Sequence, residues 1–344
     1  MSARKVAIVL CNLGGPDGPD AVRPFLYNLF NDRFIVAAPQ PVRAALAWAI
    51  SMRRAPYARE NYAKMGGASP LLPETQRQAE ALDRALAGRA LGAEAKCFIA
   101  MRHWKPFTED AAKAARAWGA VEALVLPLYP QFSGATTASS LAAWRGVSDL
   151  PTRAVCCWPA ADRFARAHAD VILDAWRKAD SPARPRVLFS AHGLPERAVK
   201  AGDPYQWQIE KTCAAVTALL PPDWEHEICY QSRVGPLKWI GPSTEEAIDK
   251  AGRDRIGVIV SPISFVSEHI ETLVELDIDY AARAEANALP FFGRAPALSA
   301  REGLIETMAD LIEAALKRPL TTTSETGARL CPAHFSLCPM KATS

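Results

Sequence analysis

Short, uninterrupted apolar runs alternate with longer amphipathic stretches along most of the chain. The runs are Val6–Leu10, Cys97–Met101, Ala123–Leu128, Ala154–Cys157, Val187–Phe189, Glu227–Tyr230 and Ile256–Val260. Runs this short, without polar alternation, predict strands buried on both faces, the pattern of a parallel sheet. Between them, Thr75–Leu86, Thr108–Trp118, Arg163–Lys178, Gln206–Leu220 and Glu302–Leu316 carry apolar residues at three- and four-residue spacing, which predicts helices with one buried face. Strand and helix alternating over the whole length predict an α/β protein with parallel sheets.

The runs fall into two groups separated near Asp180-Ser181-Pro182-Ala183-Arg184-Pro185. This predicts two open-sheet lobes, residues 1–180 and 181–318, with the active site in the cleft between them. The halves share no repeated sequence, so any likeness between them is one of fold. Residues 319–344 are polar and irregular, the mark of an extension or a disordered end. Within the segment 20–60, Pro41–Arg54 is apolar and edged by Arg43, Arg53 and Arg54. It reads either as a core helix or as a lip that touches a bilayer surface.

A length of 344 residues suits about two domains, and 49% hydrophobic with 22% charged residues excludes a disordered or fibrous chain. Lys and Arg number 40 against 37 Asp and Glu, and the resulting +3 argues against a nucleic-acid partner. Eight scattered cysteines suit a reducing cytoplasm. The longest uncharged apolar run, Ala44–Met52, falls short of the roughly 20 residues that a spanning helix needs. The sequence Asn12-Leu13-Gly14-Gly15-Pro16 reads as a turn after a buried strand, and not as a signal cleavage site. Neither GxGxxG nor GxxxxGK[ST] occurs, so no nucleotide cofactor is expected.

Loops rich in Gly, Pro, aromatic and polar residues follow the strands. His192 ends one strand at a glycine turn, where an imidazole with an ordinary pKa near 6.5 can take a proton or hold a metal. Glu268, Glu271, Glu275 and Asp279 recur at three- and four-residue spacing beside His269, with Ser267 as a candidate N-cap and no Lys or Arg between. That stripe is either a solvated acidic face or a site for a divalent metal and proton exchange. Arg102, His103, Trp104, Tyr129, Phe132, Arg233 and Trp239 describe together a flat apolar site with a cationic rim, suited to a planar ligand bearing acids.

Taken in order, these loops resemble those of the ferrochelatase family. The resemblance rests on NLGGPD at Asn12–Asp17, ENYAKMGGASPL at Glu60–Leu71, YPQFSGATT at Tyr129–Thr137, LFSAHGLP at Leu188–Pro195, GDPY at Gly202–Tyr205, QSRVGPLKW at Gln231–Trp239 and SEHIETLVELDIDY at Ser267–Tyr280. It spans roughly residues 5–315 and implies two Rossmann-like lobes, each an open parallel sheet flanked by helices. The activity implied is insertion of Fe2+, a substrate, into protoporphyrin IX in haem synthesis. By the same resemblance His192 and Glu271 are the metal and proton-transfer pair, with Glu268, His269, Glu275 and Asp279 as the adjoining acid path. Ser69 and Arg102 would hold propionates, and Tyr62, Met65 and Trp239 would pack on the macrocycle. Some members carry a 2Fe–2S cluster, for which Cys157, Cys331 and Cys338 are the candidate ligands here, the fourth being open between Cys156 and His334. Where a bacterial C-x6-C-x-C tail has its last cysteine, this chain has Met340. Coproporphyrin III as substrate, a cobaltochelatase of corrinoid synthesis and a non-catalytic porphyrin or haem carrier are the alternatives. A cytoplasmic monomer or homodimer, peripheral to the inner membrane, is expected.

Overall fold

The structure, a computed structural model, describes residues 4–179, 183–233 and 237–340. Asp180, Ser181 and Pro182 of the expected lobe boundary, and Val234, Gly235 and Pro236 of the QSRVGPLKW segment, lie outside the described residues.

Nine strands occur among the described residues: β1 (Lys5–Asn12), β2 (Glu94–Met101), β3 (Glu122–Pro127), β4 (Thr152–Cys157), β5 (Arg186–His192), β6 (Glu225–Gln231), β7 (Val258–Pro262), β8 (Phe292–Arg294) and β9 (Thr322–Ser324). The α-helices are α1 (Val22–Phe30), α2 (Val42–Ala63), α3 (Leu71–Ala87), α4 (Thr108–Ala117), α5 (Ser139–Val147), α6 (Asp162–Lys178), α7 (Glu196–Lys200), α8 (Tyr205–Thr217), α9 (Thr244–Asp254), α10 (Ala281–Ala286) and α11 (Glu302–Leu316). Wider π-helical turns occupy Gly134–Ala138 and Glu271–Tyr280. Each of the seven apolar runs is a strand, and β8 and β9 are additional.

Two compact units result. The first takes the chain up to Cys157, Met308–Leu330 and the residues from Pro339 on; the second takes Trp158–Thr307 and Cys331–Cys338. The boundary therefore precedes α6, and the tail is shared between the units, unlike the 1–180, 181–318 and 319–344 division expected.

In the first unit a parallel sheet runs β2-β1-β3-β4-β9. Val6 to Leu10 are fully buried in its middle. Ala111, Ala112 and Ala115 of α4 and Leu141 and Trp144 of α5 pack on one face, small residues letting the helix approach closely. Glu122 on β3 accepts from Arg4 at 2.6 Å and pairs with Arg153 on β4, whose guanidinium also donates to the Arg318 carbonyl. Of the apolar segment Pro41–Arg54, Ala47 and Ser51 in α2 point inward, while Val42, Leu46, Trp48 and Met52 are exposed.

In the second unit the order is β6-β5-β7-β8, again parallel. Leu188, Cys229, Val258 and Val260 pack against Ala247, Ile248 and Ala251 of α9 and against Leu276 and Tyr280 of the long π-helical segment. The tail docks here instead of running free. Gly202, at φ 96°, accepts from Leu337 N at 3.2 Å, and a Cβ on it would lie 2.8 Å from Ser336 N. Phe335 stacks near Trp207 with ring centroids 6.0 Å apart.

Both sheets share one strand order: from β1 or β5 the chain adds a strand on one side, then crosses to the other. β1 and β5 are therefore switch-point strands, and a ligand in such a sheet sits off their carboxyl ends.

Replacing Glu122 by Leu should destabilise the protein by about 3–5 kcal/mol, because Arg153 would keep its buried charge without a counter-ion. The double change Glu122→Leu with Arg153→Met should cost far less. Urea denaturation of the three proteins measures both.

Candidate active site

β5 delivers the central side chain. It is paired on both sides, so its carboxyl end projects His192 from the middle of the sheet. Gly193 then turns beneath the end of β6, its N–H donating to the Gln231 carbonyl at 2.8 Å. A Cβ there would sit 2.9 Å from that oxygen and 3.2 Å from the Trp239 ring, so the histidine is followed by the one residue without a side chain.

His192 Nδ1 lies 2.8 Å from Glu271 Oε2, and the imidazole side chain keeps 43% of its surface exposed. Glu271 opens the π-helical segment. Ser267 is not the cap, since the first helical residue is Ile270; instead the Thr272 hydroxyl accepts from His269 N at 3.0 Å. His269 Nδ1 is 3.2 Å from the Ser267 carbonyl, and its Nε2 is 3.9 Å from Glu271 Oε2.

Behind this pair stands Glu275. One oxygen accepts from Ser232 N and Tyr280 OH, both at 2.9 Å, and the other from Ser232 Oγ at 2.5 Å and Gln231 Nε2 at 3.1 Å. Ser232 reaches it from a left-handed backbone, φ 60°, a strained conformation for a non-glycine residue. Asp279 is exposed.

Glu268 goes elsewhere. Its Oε1 accepts from Arg294 at 2.6 Å and from Ala297 N at 2.8 Å, and Arg294 also binds Asp277 through two bonds of 2.7 and 2.6 Å. The expected acidic stripe is thus divided: Glu271 and Glu275 stand beside the histidines, Asp279 is exposed, and Glu268 shares an arginine from β8 with Asp277, which was not part of the stripe. Glu268 makes an ion pair that ties the loop to β8.

Burial disfavours the His192 imidazolium, but the Glu271 carboxylate outweighs it and raises the imidazole above its ordinary value. Burial likewise favours a protonated Glu271, yet His192 and His269 hold that carboxyl well below the usual range. Glu275 is raised, first by burial and then by the charge of Glu271, against the donors from Ser232 and Tyr280.

The first unit carries the other expected residues. Tyr62 is buried near the end of α2, and Met65 and Ser69 are half-buried in the turn that follows. Arg102, at the end of β2, donates from Nε to Ser139 at 2.6 Å and lies 2.9 Å from the buried Asp32. Ser139 donates to the same Asp32 carboxylate. His103 beside them is held neutral, its pKa pushed down to about 3 by burial and by the Arg102 charge. Trp239 is in the second unit, half-buried against Gly193.

The cysteines do not complete a cluster site within either unit. Cys156 and Cys157 lie in the first, with thiols 3.4 Å apart and packed with Phe132, Leu330 and Met340. Cys331 and Cys338 lie in the second, where Cys331 accepts from Gln208 at 3.1 Å. Among the described residues no group of three or more His, Cys, Asp or Glu is placed to hold a metal ion.

Gln231, Ser232 and Tyr280, like Asp32 and Ser139, were not singled out by sequence. Gln231 and Ser232 carried one signal, as polar residues opening a loop at a strand's carboxyl end; Asp32 carried none.

In an NMR titration the His192 imidazole should titrate above its ordinary value, and in Glu271→Gln it should fall below the wild-type midpoint, since burial is then opposed only by the charge of Glu275. The stability that His192 supplies is full below the ordinary imidazole value and is lost as pH rises through its raised folded midpoint. The part from Glu271 is full above the ordinary carboxylate value and is lost as pH falls through its lowered one.

The ferrochelatase family model matches residues 5–316 of the chain. The ferrochelatase of Caulobacter vibrioides is 53% identical over 343 residues, covering 98% of each chain. That of Hyphomonas neptunium is 50% identical over 338 residues, covering 98% of this chain and 95% of its own. Among solved structures, SirB from Bacillus subtilis with Fe3+ has the same fold, with a TM-score of 0.50 at 10% identity, covering 91% of this chain and 94% of that one. The matched length holds every strand of both sheets except β9, and the chain belongs to the ferrochelatase family.

Proposed function

We propose that the protein inserts Fe2+ into protoporphyrin IX, releasing two protons, as the metal-insertion step of haem synthesis. The observation that carries this reading is the His192–Glu271 pair, 2.8 Å apart at the end of the switch-point strand, with Glu275 behind it. Insertion changes no oxidation state. It needs the two pyrrole N–H protons removed while the ion exchanges its waters for ring nitrogens. An imidazole beside a carboxylate supplies a proton acceptor whose charged form is already stabilised, and both groups are ligands for a borderline divalent ion. Glu275, whose proton affinity is raised by burial and by the charge of Glu271, forwards the second proton toward exposed Asp279.

On this reading Tyr62, Met65 and Trp239 pack on the macrocycle, and Ser69 and the remaining N–H donors of Arg102 hold propionates. Asp32 and Ser139 anchor the guanidinium, so it keeps one geometry as the ligand arrives. The outward face of α2, Val42, Leu46, Trp48, Met52 and Tyr57 with Arg53 exposed among them, rests on an anionic bilayer surface, where the apolar substrate partitions. No described helix is long and apolar enough to cross a membrane. On this reading the protein works at the bilayer surface, on the cytoplasmic side.

Anaerobic Fe2+ or Zn2+ with protoporphyrin IX, followed by the absorbance change on metallation, tests the reading; coproporphyrin III as the faster substrate would reassign it. His192→Ala should abolish insertion while porphyrin affinity stays within about tenfold, as expected of a group acting in the chemical step. Glu271→Gln should be as severe, and Glu275→Gln milder. A wild-type protein that binds porphyrin tightly and metallates none would be a carrier. In vesicle flotation, Trp48→Glu should reduce binding to anionic bilayers several-fold, the loss of one buried indole at the interface.

A further inference from the structure

Gln231 is fully buried at the carboxyl end of β6, where an amide has no water to complete its hydrogen bonding. Its side chain is used on both ends. Nε2 donates to the Glu271 backbone carbonyl at 3.0 Å and to Glu275 Oε2 at 3.1 Å. Oε1 accepts from Ser190 Oγ at 2.7 Å, and Ser190 lies two residues before His192 on β5. The Ser190 hydroxyl is in turn 2.8 Å from the Thr244 hydroxyl at the start of α9. One amide therefore joins the strand that carries the histidine to the backbone of one carboxylate and the side chain of the next.

The network also sets which way the amide faces. Turned over, it would place its oxygen against the Glu271 carbonyl and the Glu275 carboxylate, two acceptors, and its NH2 against a hydroxyl already placed to donate. We propose that Gln231 is a positioning residue for metal insertion, holding the Glu271–Glu275 segment in register with His192 and presenting a donor to the Glu275 carboxylate. It touches neither metal nor porphyrin and acts through Glu275 and the backbone of Glu271. The proposal rests on the chelatase reading given above.

The test is steady-state kinetics of Zn2+ insertion into protoporphyrin IX. Gln231→Met keeps the size and removes both polar ends, so kcat should fall about tenfold or more with both KM values within about twofold, the split expected when chemistry and not binding is disturbed. Gln231→Glu is isosteric but sets an acceptor against Glu275, and its loss of kcat should be larger. In a Glu275→Gln background Gln231→Glu should add little, because two residues acting through one contact are not additive. A Gln231→Met enzyme with more than half the wild-type kcat would overturn the proposal, as would a rise in KM alone, or a Gln231→Glu loss undiminished by Glu275→Gln. If Gln231→Met fails to fold by circular dichroism, Ser190→Ala decides. It leaves Gln231 in place but unlatches its oxygen, and an unchanged kcat there also overturns the proposal. A wild-type enzyme that metallates no porphyrin defeats the function reading itself, whereas an active wild type with unaffected variants defeats only the role of Gln231.

Discussion

The pairing of β5 on both of its edges is the constraint from which the rest of the site follows. A strand hydrogen-bonded to β6 and β7 cannot slip, because a one-residue shift would turn Leu188 and Phe189 to the wrong faces. Residues two apart on a strand share a face. Ser190 and His192 are such a pair, and they meet two parts of one network, the hydroxyl bonding Gln231 and the imidazole bonding Glu271. Chemistry that needs tenths of an ångström is thus built at the end of the least mobile kind of element, and only the partners that approach it come from loops.

Those partners are arranged by sorting charge. Four acids close in sequence would repel if they shared one helical face. The chain avoids this by starting the helix after Glu268, widening it into π turns, and bringing Arg294 from β8 to neutralise Glu268 and Asp277. What is left beside the histidines is a smaller excess of negative charge, Glu271 and Glu275. Their environments push the two carboxyls in opposite directions, one kept ionised by an imidazole and the other raised by burial and by its neighbour. Two groups of one kind with separated proton affinities can pass a proton in sequence.

Much of this was legible in the chain. Buried parallel strands announce themselves as short apolar runs, and all seven runs became strands. β8 and β9 did not, since Phe-Gly-Arg and Thr-Thr-Ser carry no run and are strands only because a sheet edge waits for them. His192 and Glu271 were marked by their place after strands. The ion pair of Glu268 was not legible, because helical periodicity was extended through a residue that precedes the helix and because the counter-ion comes from 26 residues away. Asp32 beside Arg102 was invisible for the same reason, a contact between distant residues that no local pattern encodes. The tail was read as irregular from its composition, but Gly202 and Trp207 offer it a dock that composition cannot report.

β9 has a further consequence, for the order in which the chain can fold. The first unit's sheet is finished by residues that leave the ribosome after the whole second sheet has been made. Until then β4 presents a bare edge of unpaired amides and carbonyls, and Arg153 lacks the Arg318 carbonyl that later receives it. The usual sequence in which the amino-terminal domain folds first during synthesis is therefore blocked for this unit. The nascent half must stay soluble with an open sheet edge while the second sheet forms.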